Sequence, residues 1–332
     1  MGLKFSSLAI RGIDVSQFNG NIDWTKVSCH FASIRVGYGR VIESKFLANW
    51  QNAKGKVNRI PYWYLDYYSN YNADSGVNGT SDAEWGKVQA DTCWNSFKND
   101  PEGIVFLDIE NGNTSYAPPI ATVASRVQAI ARAFLERIDA LNGKVNGVYC
   151  SLGLLNWFGI WFKVRPLWVA WYNEEQTFQT VLTAVKNAGW TGKCYIWQYA
   201  SDGDVDDDGI ADGIKMGMQY DFLDLNAWLG NSQEYTAFFG KEVAVELYKV
   251  KILIYNLLVR SGPGTLYLRL RRADFPGEYN IYEEKNGFGR ISTLKAEWIS
   301  LNPEYVQKLT TTTVLSDAEK LLRLWAAHPE LH

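Results

Sequence analysis

Histidine is scarce in this 332-residue chain, which contains only three. His30, His328 and His332 lie outside every motif described below, so none stands where it could activate a serine or cysteine nucleophile. Zinc sites likewise need histidine or cysteine at short, regular spacing, and that spacing does not occur. The sequence therefore argues against Ser/His, Cys/His and zinc-dependent chemistry.

Cysteine pairs and long apolar runs are missing as well. Cys29, Cys93, Cys150 and Cys194 are widely separated, and two of them, Cys150 and Cys194, lie in segments that we interpret as strands. We therefore expect buried free thiols, as in a reducing compartment, and no disulfide bonds. Because no apolar stretch approaches the length of a membrane span, we expect no insertion into a membrane.

An excess of positive charge is the third absence. The formal net charge is -3, and neither part of the chain on either side of Asn231 has a concentrated basic patch. Proteins that bind nucleic acids use such a patch to neutralise phosphates, so we expect no nucleic-acid partner.

Short apolar strands alternate with helical stretches from Gly12 to about Leu229. The predicted strands are residues 13–16, 31–37, 59–68, 103–110, 147–151, 166–171, 193–199 and one near 220–224. The predicted helices are residues 46–54, 83–97, 120–141 and 178–187. Eight strands separated by helices predict an α/β fold, in the form of an irregular β/α barrel of the TIM-like kind.

The pattern changes near residues 230–240, where we place a domain boundary. From Val243 to Leu309, short strands are separated by the turn signals SGPG at 261–264, FPGE at 275–278 and NG at 286–287. This spacing predicts a small all-β barrel. After it, Ser316 and Glu319 form a helix-cap signature that predicts a short amphipathic helix.

The strongest motif is VFLDIE, in which Asp108 and Glu110 end an apolar strand. Residues two apart in a strand point to the same face, so both carboxylates would project from the mouth of the barrel. Asp14 ends the first strand and Asp224 follows the last one, so both could join the pair. Four carboxylates in one cleft would raise the pKa of at least one of them.

Paired carboxyl groups suit glycoside hydrolysis, in which one protonates the leaving oxygen and the other stabilises or attacks the sugar. A bare Asp-x-Glu pair is more often a helix cap or a solvated pair. The two further acidic residues at strand ends give the catalytic interpretation its weight.

Seven segments in residues 12–229 carry a resemblance to a known family. They are GIDVSQFNGNIDW at 12–24, SIRVGYG at 33–39, VFLDIENG at 105–112, VYCSLGLLN at 148–156, LWVAWYN at 167–173, IWQYAS at 196–201 and DLN at 224–226. In this order they resemble family 25 glycoside hydrolases, the Chalaropsis-type lysozymes of bacteria and phage endolysins. The resemblance implies cleavage of the β-1,4 bond between N-acetylmuramic acid and N-acetylglucosamine in peptidoglycan, with no cofactor required.

On the matching positions, the resemblance makes Glu110 the general acid. Asp108 would orient the acetamido group of the substrate or stabilise positive charge beside it. Asp14 and Asp224 match the other two acidic residues of the cleft, with Asp221 as a neighbouring alternative to Asp224. Whether the acetamide or a water molecule attacks the sugar is left open.

Aromatic side chains are plentiful, with 14 Trp and 19 Tyr, and such rings stack on the flat faces of sugars. The predicted substrate-binding residues lie on the third, sixth and seventh strands: Tyr62, Tyr64, Trp168, Trp171, Trp197 and Gln198. Alternation along a strand sends some of them to the cleft and others to the helices, without showing which. Among them we select Tyr62, Trp171 and Gln198 as sugar contacts.

The segment DVDDDGIADG at 204–213 has the spacing of a calcium-binding loop. Asp204, Asp206, Asp208 and Asp212 occupy positions one, three, five and nine of that loop. Position twelve is Lys215 where calcium loops have glutamate. A solvated acidic loop and a structural calcium site both remain open.

The segments LLVRSGPGTLY at 257–267, NGFGRIS at 286–292 and EWISLNPEYVQK at 297–308 resemble bacterial SH3-like cell-wall-binding domains. The expected domains are therefore a catalytic domain (1–230), a linker (231–245), an SH3-like domain (246–310) and a helical tail (311–332). The resemblance points to a phage endolysin whose partner is the bacterial cell wall. The apolar stretch before Arg11 is too short for the core of a secretory signal peptide. We therefore expect synthesis in the host cytoplasm and action on the wall after release.

Two other functions were weighed. One is a non-catalytic cell-wall-binding protein built on a degenerate hydrolase barrel, against which the complete set of four acidic residues argues. The other is a chitinase-like enzyme, but Gly103 and Phe106 stand where its longer acidic motif needs aspartate.

Overall fold

The computed structural model describes residues 3–68, 81–112, 119–201, 203–206, 208–240, 247–292 and 296–309. The chain divides into two units, Met1–Glu242 and Val243–His332. The first unit mixes helices and strands, and the described residues of the second unit form strands and turns.

Nine strands of the first unit form one sheet. They are β1 (Arg11–Val15), β2 (Phe31–Tyr38), β3 (Val41–Ile42), β4 (Asn58–Tyr64), β5 (Phe106–Asp108), β6 (Gly147–Ser151), β7 (Leu167–Ala170), β8 (Cys194–Ala200) and β9 (Asp224–Trp228). Their order is β1-β9-β8-β7-β6-β5-β4-β2-β3, and β1 also pairs with β2. This second pairing closes eight strands into a barrel, which confirms the predicted α/β barrel.

The direction of the last strand differs from the rest of the barrel. β9 is antiparallel to both of its neighbours, β1 and β8, whereas the other seven barrel strands are parallel to one another. The prediction placed the last strand near residues 220–224, but β9 begins at Asp224. Since β9 is reversed, its first residue lies at the rim where the parallel strands end, opposite Asp14 in the pairing with β1.

Six α-helices belong to the described part of this unit. They are α1 (Phe46–Ala53), α2 (Asp82–Asn95), α3 (Ala124–Asn142), α4 (Ile160–Lys163), α5 (Phe178–Asn187) and α6 (Ser232–Phe238). The Ser81 side chain caps α2 by accepting a hydrogen bond from the Glu84 backbone N–H. α3 is capped at its C-terminal end by Gly143, whose φ of 69° is left-handed and suits glycine. All four predicted helices are found.

Alternation along the strands separates two apolar layers. On β4, Tyr62 belongs to the cluster inside the barrel, and Trp63 belongs to the cluster between the strands and the helices. The Trp63 indole donates a hydrogen bond to Gln89 of α2 at 3.1 Å. The same period of two decides which side chains of every barrel strand can reach the interior.

Helix α6 packs on the inner cluster of the barrel. Tyr235 is buried, and its hydroxyl donates to the His30 carbonyl at 2.9 Å and accepts from the Asn58 amide at 2.8 Å. The Phe238 ring stacks near that of Phe106, inside the barrel. This corrects the linker expected over 231–245, because its residues 232–238 are an integral part of the barrel unit.

The second unit contains eight short strands. They are β10 (Tyr248–Ile252), β11 (Leu258–Arg260), β12 (Arg269–Arg272), β13 (Glu278–Ile281), β14 (Glu283–Lys285), β15 (Phe288–Arg290), β16 (Trp298–Ser300) and β17 (Val306–Leu309). They form a three-stranded sheet, β13-β10-β17, and a five-stranded sheet, β12-β11-β16-β15-β14. The predicted all-β structure is present, and the SH3-like assignment stays a prediction.

The predicted turn at Asn286 and Gly287 joins β14 to β15. Both residues have a positive φ, 52° and 74°, as a tight two-residue hairpin turn requires. The predicted helical tail at 311–332 lies outside the described residues. Among the residues that are described, no helix is long and apolar enough to cross a membrane.

Candidate active site

A cavity of about 210 Å³ opens at the barrel rim where the parallel strands end, with room for several water molecules. Its lining includes all four acidic residues that the sequence analysis selected: Asp14, Asp108, Glu110 and Asp224. Asp14 comes from β1, and Asp224 comes from the start of β9. Asp108 ends β5 and Glu110 follows it two residues later, so one strand delivers two carboxyl groups to the cavity.

Asp14 is buried and held by two amide side chains. The Gln198 Nε2 group donates to its Oδ2 oxygen at 2.9 Å, and the Asn226 Nδ2 group donates to the same oxygen at 2.7 Å. Asp224 is the direct partner of Asp14 in the pairing of β1 with β9. Burial raises the pKa of Asp14 to about 6, and these hydrogen bonds oppose the rise.

Asp108 lies deeper than Glu110. Its side chain is 4% exposed, and its Oδ1 oxygen has no hydrogen-bond partner among the described residues. Burial and the nearby Glu110 carboxylate hold the pKa of Asp108 well above its usual range, against the opposing charge of Arg35. A buried acceptor without a partner is available to a polar group of a ligand.

Glu110 is accessible at the mouth of the cavity. Although its surface is exposed, the surrounding protein removes enough water from the carboxyl group to raise its pKa. Arg35 opposes this rise, and the Asp14 carboxylate adds to it. An accessible carboxyl group with a raised pKa is suited to donating a proton at moderately acidic to neutral pH.

Arg35 is the only basic residue among the described residues that line the cavity. Its guanidinium forms a salt bridge with Glu43 and lies 5.1 Å from the centre of the Phe18 ring. Glu43 also accepts a hydrogen bond from the Gln17 backbone N–H at 2.7 Å. Arg35 therefore supplies a fixed positive charge that lowers the pKa of Asp14, Asp108 and Glu110.

Sequence comparison connects this site with a family. The model of the glycosyl hydrolases family 25 matches residues 13–208, which is more than half of the chain. The chain belongs to this family. It is therefore a glycoside hydrolase, as the sequence analysis predicted. The matched residues include Asp14, Asp108 and Glu110, and Asp224 lies beyond them.

Three solved structures are among those similar to this hydrolase. A family 25 glycosyl hydrolase from Bacillus anthracis is 17% identical, with a TM-score of 0.50 over 70% of this chain and 94% of that chain. A bacterial lysozyme from Streptomyces coelicolor is 21% identical, with a TM-score of 0.49 over 70% of this chain and 98% of that chain. A muramidase from Trichobolus zukalii is 18% identical, with a TM-score of 0.47 over 70% of this chain and 99% of that chain. The similarity to the Bacillus anthracis structure shows the fold of this chain. A search of curated protein sequences found no match.

Three of the six predicted substrate-binding residues of the hydrolase line the cavity: Tyr62, Trp168 and Gln198. Tyr62 and Trp168 meet edge to face, with ring centres 5.5 Å apart. Tyr64 is half-buried outside the cavity lining, where burial and the nearby Glu110 raise the pKa of its hydroxyl. Gln198 is almost fully buried, which favours a role in holding other side chains.

The remaining two predicted residues, Trp171 and Trp197, lie on the other face of the strands. Trp197 is fully buried in the outer apolar cluster, with its ring edge-on to Phe178 of α5. Its indole N–H donates to the Trp171 carbonyl at 2.8 Å. Trp171 packs against the same outer cluster. Neither ring lines the cavity, and their contact with a sugar stays a prediction.

Several further residues line the cavity although the sequence did not predict them: Phe18, Arg35, Tyr149, Tyr172 and Phe222. A signal for Arg35 was present in FASIRVGY, where a charged residue stands at an alternate position of an otherwise apolar strand. Tyr149 lies on β6, whereas Phe18, Tyr172 and Phe222 lie between strands, where strand alternation gives no signal.

The acidic loop brings together three of its four predicted calcium ligands. Carboxylate oxygens of Asp204, Asp206 and Asp208 lie within 4.8 Å of one another. Asp212 is not part of this group of three, and its Oδ2 oxygen accepts from the Val205 backbone N–H at 2.9 Å. The Lys215 ammonium contacts Asp206, Asp208 and Asp212 and supplies positive charge to the loop. Calcium binding stays a prediction.

Proposed function

We propose that this hydrolase is a muramidase, which cleaves the β-1,4 bond between N-acetylmuramic acid and N-acetylglucosamine in bacterial peptidoglycan. The main support is the pair at the end of β5. Glu110 is accessible with a raised pKa, and Asp108 is buried beside it with an oxygen that lacks a partner. These two environments suit two different roles for carboxyl groups at one glycosidic bond.

In the proposed reaction, Glu110 donates its proton to the glycosidic oxygen as the bond between that oxygen and the anomeric carbon breaks. Asp108 accepts a hydrogen bond from the acetamido N–H or stabilises the positive charge that develops on the sugar. A water molecule supplies the new hydroxyl group, and its released proton restores Glu110. Asp14 and Asp224 contribute two further carboxyl groups to the same cleft.

The variant Glu110→Gln tests this role. We expect release of reducing ends from purified cell walls to fall by about 10²–10⁴, because amides cannot donate the proton that general-acid catalysis needs. The melting temperature should stay near that of the unchanged protein. Glu136→Gln is the matched control, since Glu136 is an exposed residue of α3 that pairs with Arg132.

Mass spectrometry of the released fragments decides which bond is cut. Fragments that end in reducing N-acetylmuramic acid support a muramidase. Fragments that end in reducing N-acetylglucosamine would contradict it. Binding to walls without any release of fragments would favour the non-catalytic alternative.

We propose further that the second unit is an SH3-like wall-binding module and that the whole chain serves as a phage endolysin. Its all-β structure and its exposed side chains on β12 support a role in contact with an insoluble polymer. Attachment would raise the local concentration of the catalytic site at the wall. Expression inside a bacterial host, with and without a membrane-permeabilising protein, tests the endolysin role through the onset of lysis.

A further inference from the structure

Gln198 and Asn226 hold Asp14 through one oxygen atom. Both are almost fully buried, and both donate their amide hydrogens to Asp14 Oδ2, at 2.9 Å and 2.7 Å. They come from neighbouring strands, β8 and β9, which pair through these two residues. The acidic side chain of β1 is therefore held by amides of the two strands that complete the barrel.

The orientation of each amide is fixed by a second contact. The Gln198 Oε1 atom accepts from the Tyr149 hydroxyl at 2.7 Å and from the Tyr172 hydroxyl at 3.1 Å. The Asn226 Oδ1 atom accepts from the Trp168 indole N–H, a group that can only donate, at 2.9 Å. A flipped Asn226 amide would face this donor with its own N–H groups, so its NH₂ group must point to Asp14.

These contacts bear on the charge of Asp14. Asp14 and Asp224 are direct partners in the pairing of β1 with β9, so two acidic residues lie next to each other at the rim. Burial of the Asp14 carboxyl group disfavours its charged form. The two amide donors on Asp14 Oδ2 act in the opposite direction, because a hydrogen bond donated to a carboxylate favours the charged form.

We infer that Gln198 and Asn226 are positioning residues that hold the Asp14 carboxyl group in place and favour its charged form. This inference deepens the proposed function, on which it rests for its catalytic meaning. A fixed negative charge at Asp14 would stabilise the positive charge that develops on the sugar ring. It also explains why Gln198, selected above as a sugar contact, has its amide committed to protein partners.

Other charged and titratable groups face Asp14 from every strand around it. They are Arg35 on β2, Tyr62 on β4, Asp108 and Glu110 at the end of β5, Tyr149 on β6, Tyr172 after β7 and Asp224 on β9. The test must leave all of them in place. Substitution of the non-titrating Gln198 meets this condition.

The variant Gln198→Met removes one donor to Asp14 with little change in side-chain volume. We expect the pKa of Asp14 to rise by about one pH unit, a tenfold change in its ionisation constant. The side-chain carboxyl ¹³C signal of Asp14, assigned by its loss in Asp14→Asn, measures this pKa without any substrate. In parallel, the acidic limb of kcat/KM should move to higher pH by the same amount, with kcat reduced more than KM.

The matched control is Gln89→Met. Gln89 is also fully buried, and its amide is also committed to protein partners, Trp63 and Asp66, in the outer layer. This variant should lower the melting temperature and leave both the pKa of Asp14 and the pH profile unchanged. A general loss of stability and a specific loss of positioning are thereby separated.

Asn226→Leu provides a second test if Gln198→Met does not fold. It removes the other amide donor to Asp14 Oδ2 and leaves every titratable group around Asp14 in place, so a shift in the same direction is expected. An unchanged pKa of Asp14 in the folded variants would overturn the inference. If the unchanged protein does not cleave cell walls but the pKa of Asp14 rises as expected in the variants, the proposed function is contradicted and this inference is not.

Discussion

The two units of this hydrolase treat charge and apolar surface in opposite ways. The barrel unit buries charged side chains, among them Asp14, Arg59 and Asp108. Among the described residues of the second unit, no polar or charged side chain is buried, while Leu266, Leu268 and Leu270 are exposed. A buried charge can be tuned for chemistry, whereas an exposed apolar side chain offers a contact surface.

Size explains part of this difference. The barrel has two apolar clusters, one inside the strands and one between strands and helices, whereas the second unit has one small cluster. Burying a carboxylate disfavours its charged form and costs stability, which a large apolar core can offset. A small β-unit has less reserve, so we expect its function to lie on its surface.

The contrast between the two units can be tested most strongly at Asp14, where removal of a buried charge should change the stability of the barrel unit. Its pKa rises from 3.8 to about 6 in the folded protein, so folding disfavours the charged form. The cost is absent below pH 3.8 and complete above about pH 6, where it reaches roughly 3 kcal/mol. Asp14→Asn should therefore increase the free energy of unfolding by up to about that amount at pH 8, with no gain at pH 3.5.

Urea denaturation at the two pH values measures this gain, and release of reducing ends should show that activity is lost. Asp91→Asn, at a surface aspartate that pairs with Arg137, is the control and should change neither. Equal stability changes for Asp14→Asn at both pH values would show that burial of its charge is not the cause.

A moderate effect is expected on the surface of the second unit. Leu266 and Leu268 are 100% and 69% exposed and lie in the segment just before β12. In a chain that also carries Glu110→Gln, serine at both positions should weaken binding to insoluble walls by about tenfold, through loss of apolar contact. Sedimentation with purified walls measures this binding.

Ile160→Ser is the matched control for that experiment, because Ile160 is a highly exposed apolar residue of the barrel unit. It should leave wall binding unchanged. If both sets of substitutions weaken binding equally, the contrast between the two units does not hold.

The smallest expected effect concerns the acidic loop of the barrel unit. Because Lys215 already contacts three of its aspartates, millimolar calcium should raise the melting temperature by no more than about 2 °C. Addition of a chelator should leave the rate of wall hydrolysis unchanged. Lys215→Glu, which places glutamate at position twelve, should increase the response to calcium. A large stabilisation of the unchanged protein by calcium would contradict this expectation.

The paired acidic residues were predictable because strand geometry is local. Asp108 and Glu110 stand two apart, so they share a face wherever the strand lies, and the structure brings both to the cavity. The position of Asp224 was harder, since its place at the rim depends on the reversed direction of β9. Strand direction is set by pairing with distant segments, which a local pattern does not report.

The substrate-binding residues show the same limit. Trp197 and Gln198 are adjacent, so they point to opposite faces of β8 and could not both line the cavity. Which of them faces inward depends on the apolar cluster that accepts the Trp197 ring, next to Phe178. A single-strand pattern contains no information about that partner.

The chain by itself determined the order of strands and helices, the family and the identity of the acidic residues, because periodicity and motif spacing are written along the chain. Only the tertiary structure decided how Asp14 is held and that Arg35 joins the cavity. It also decided that residues 232–238 pack on the barrel as α6. Burial, charge and hydrogen bonding at these positions arise from residues up to 212 positions apart, which meet only when the barrel closes.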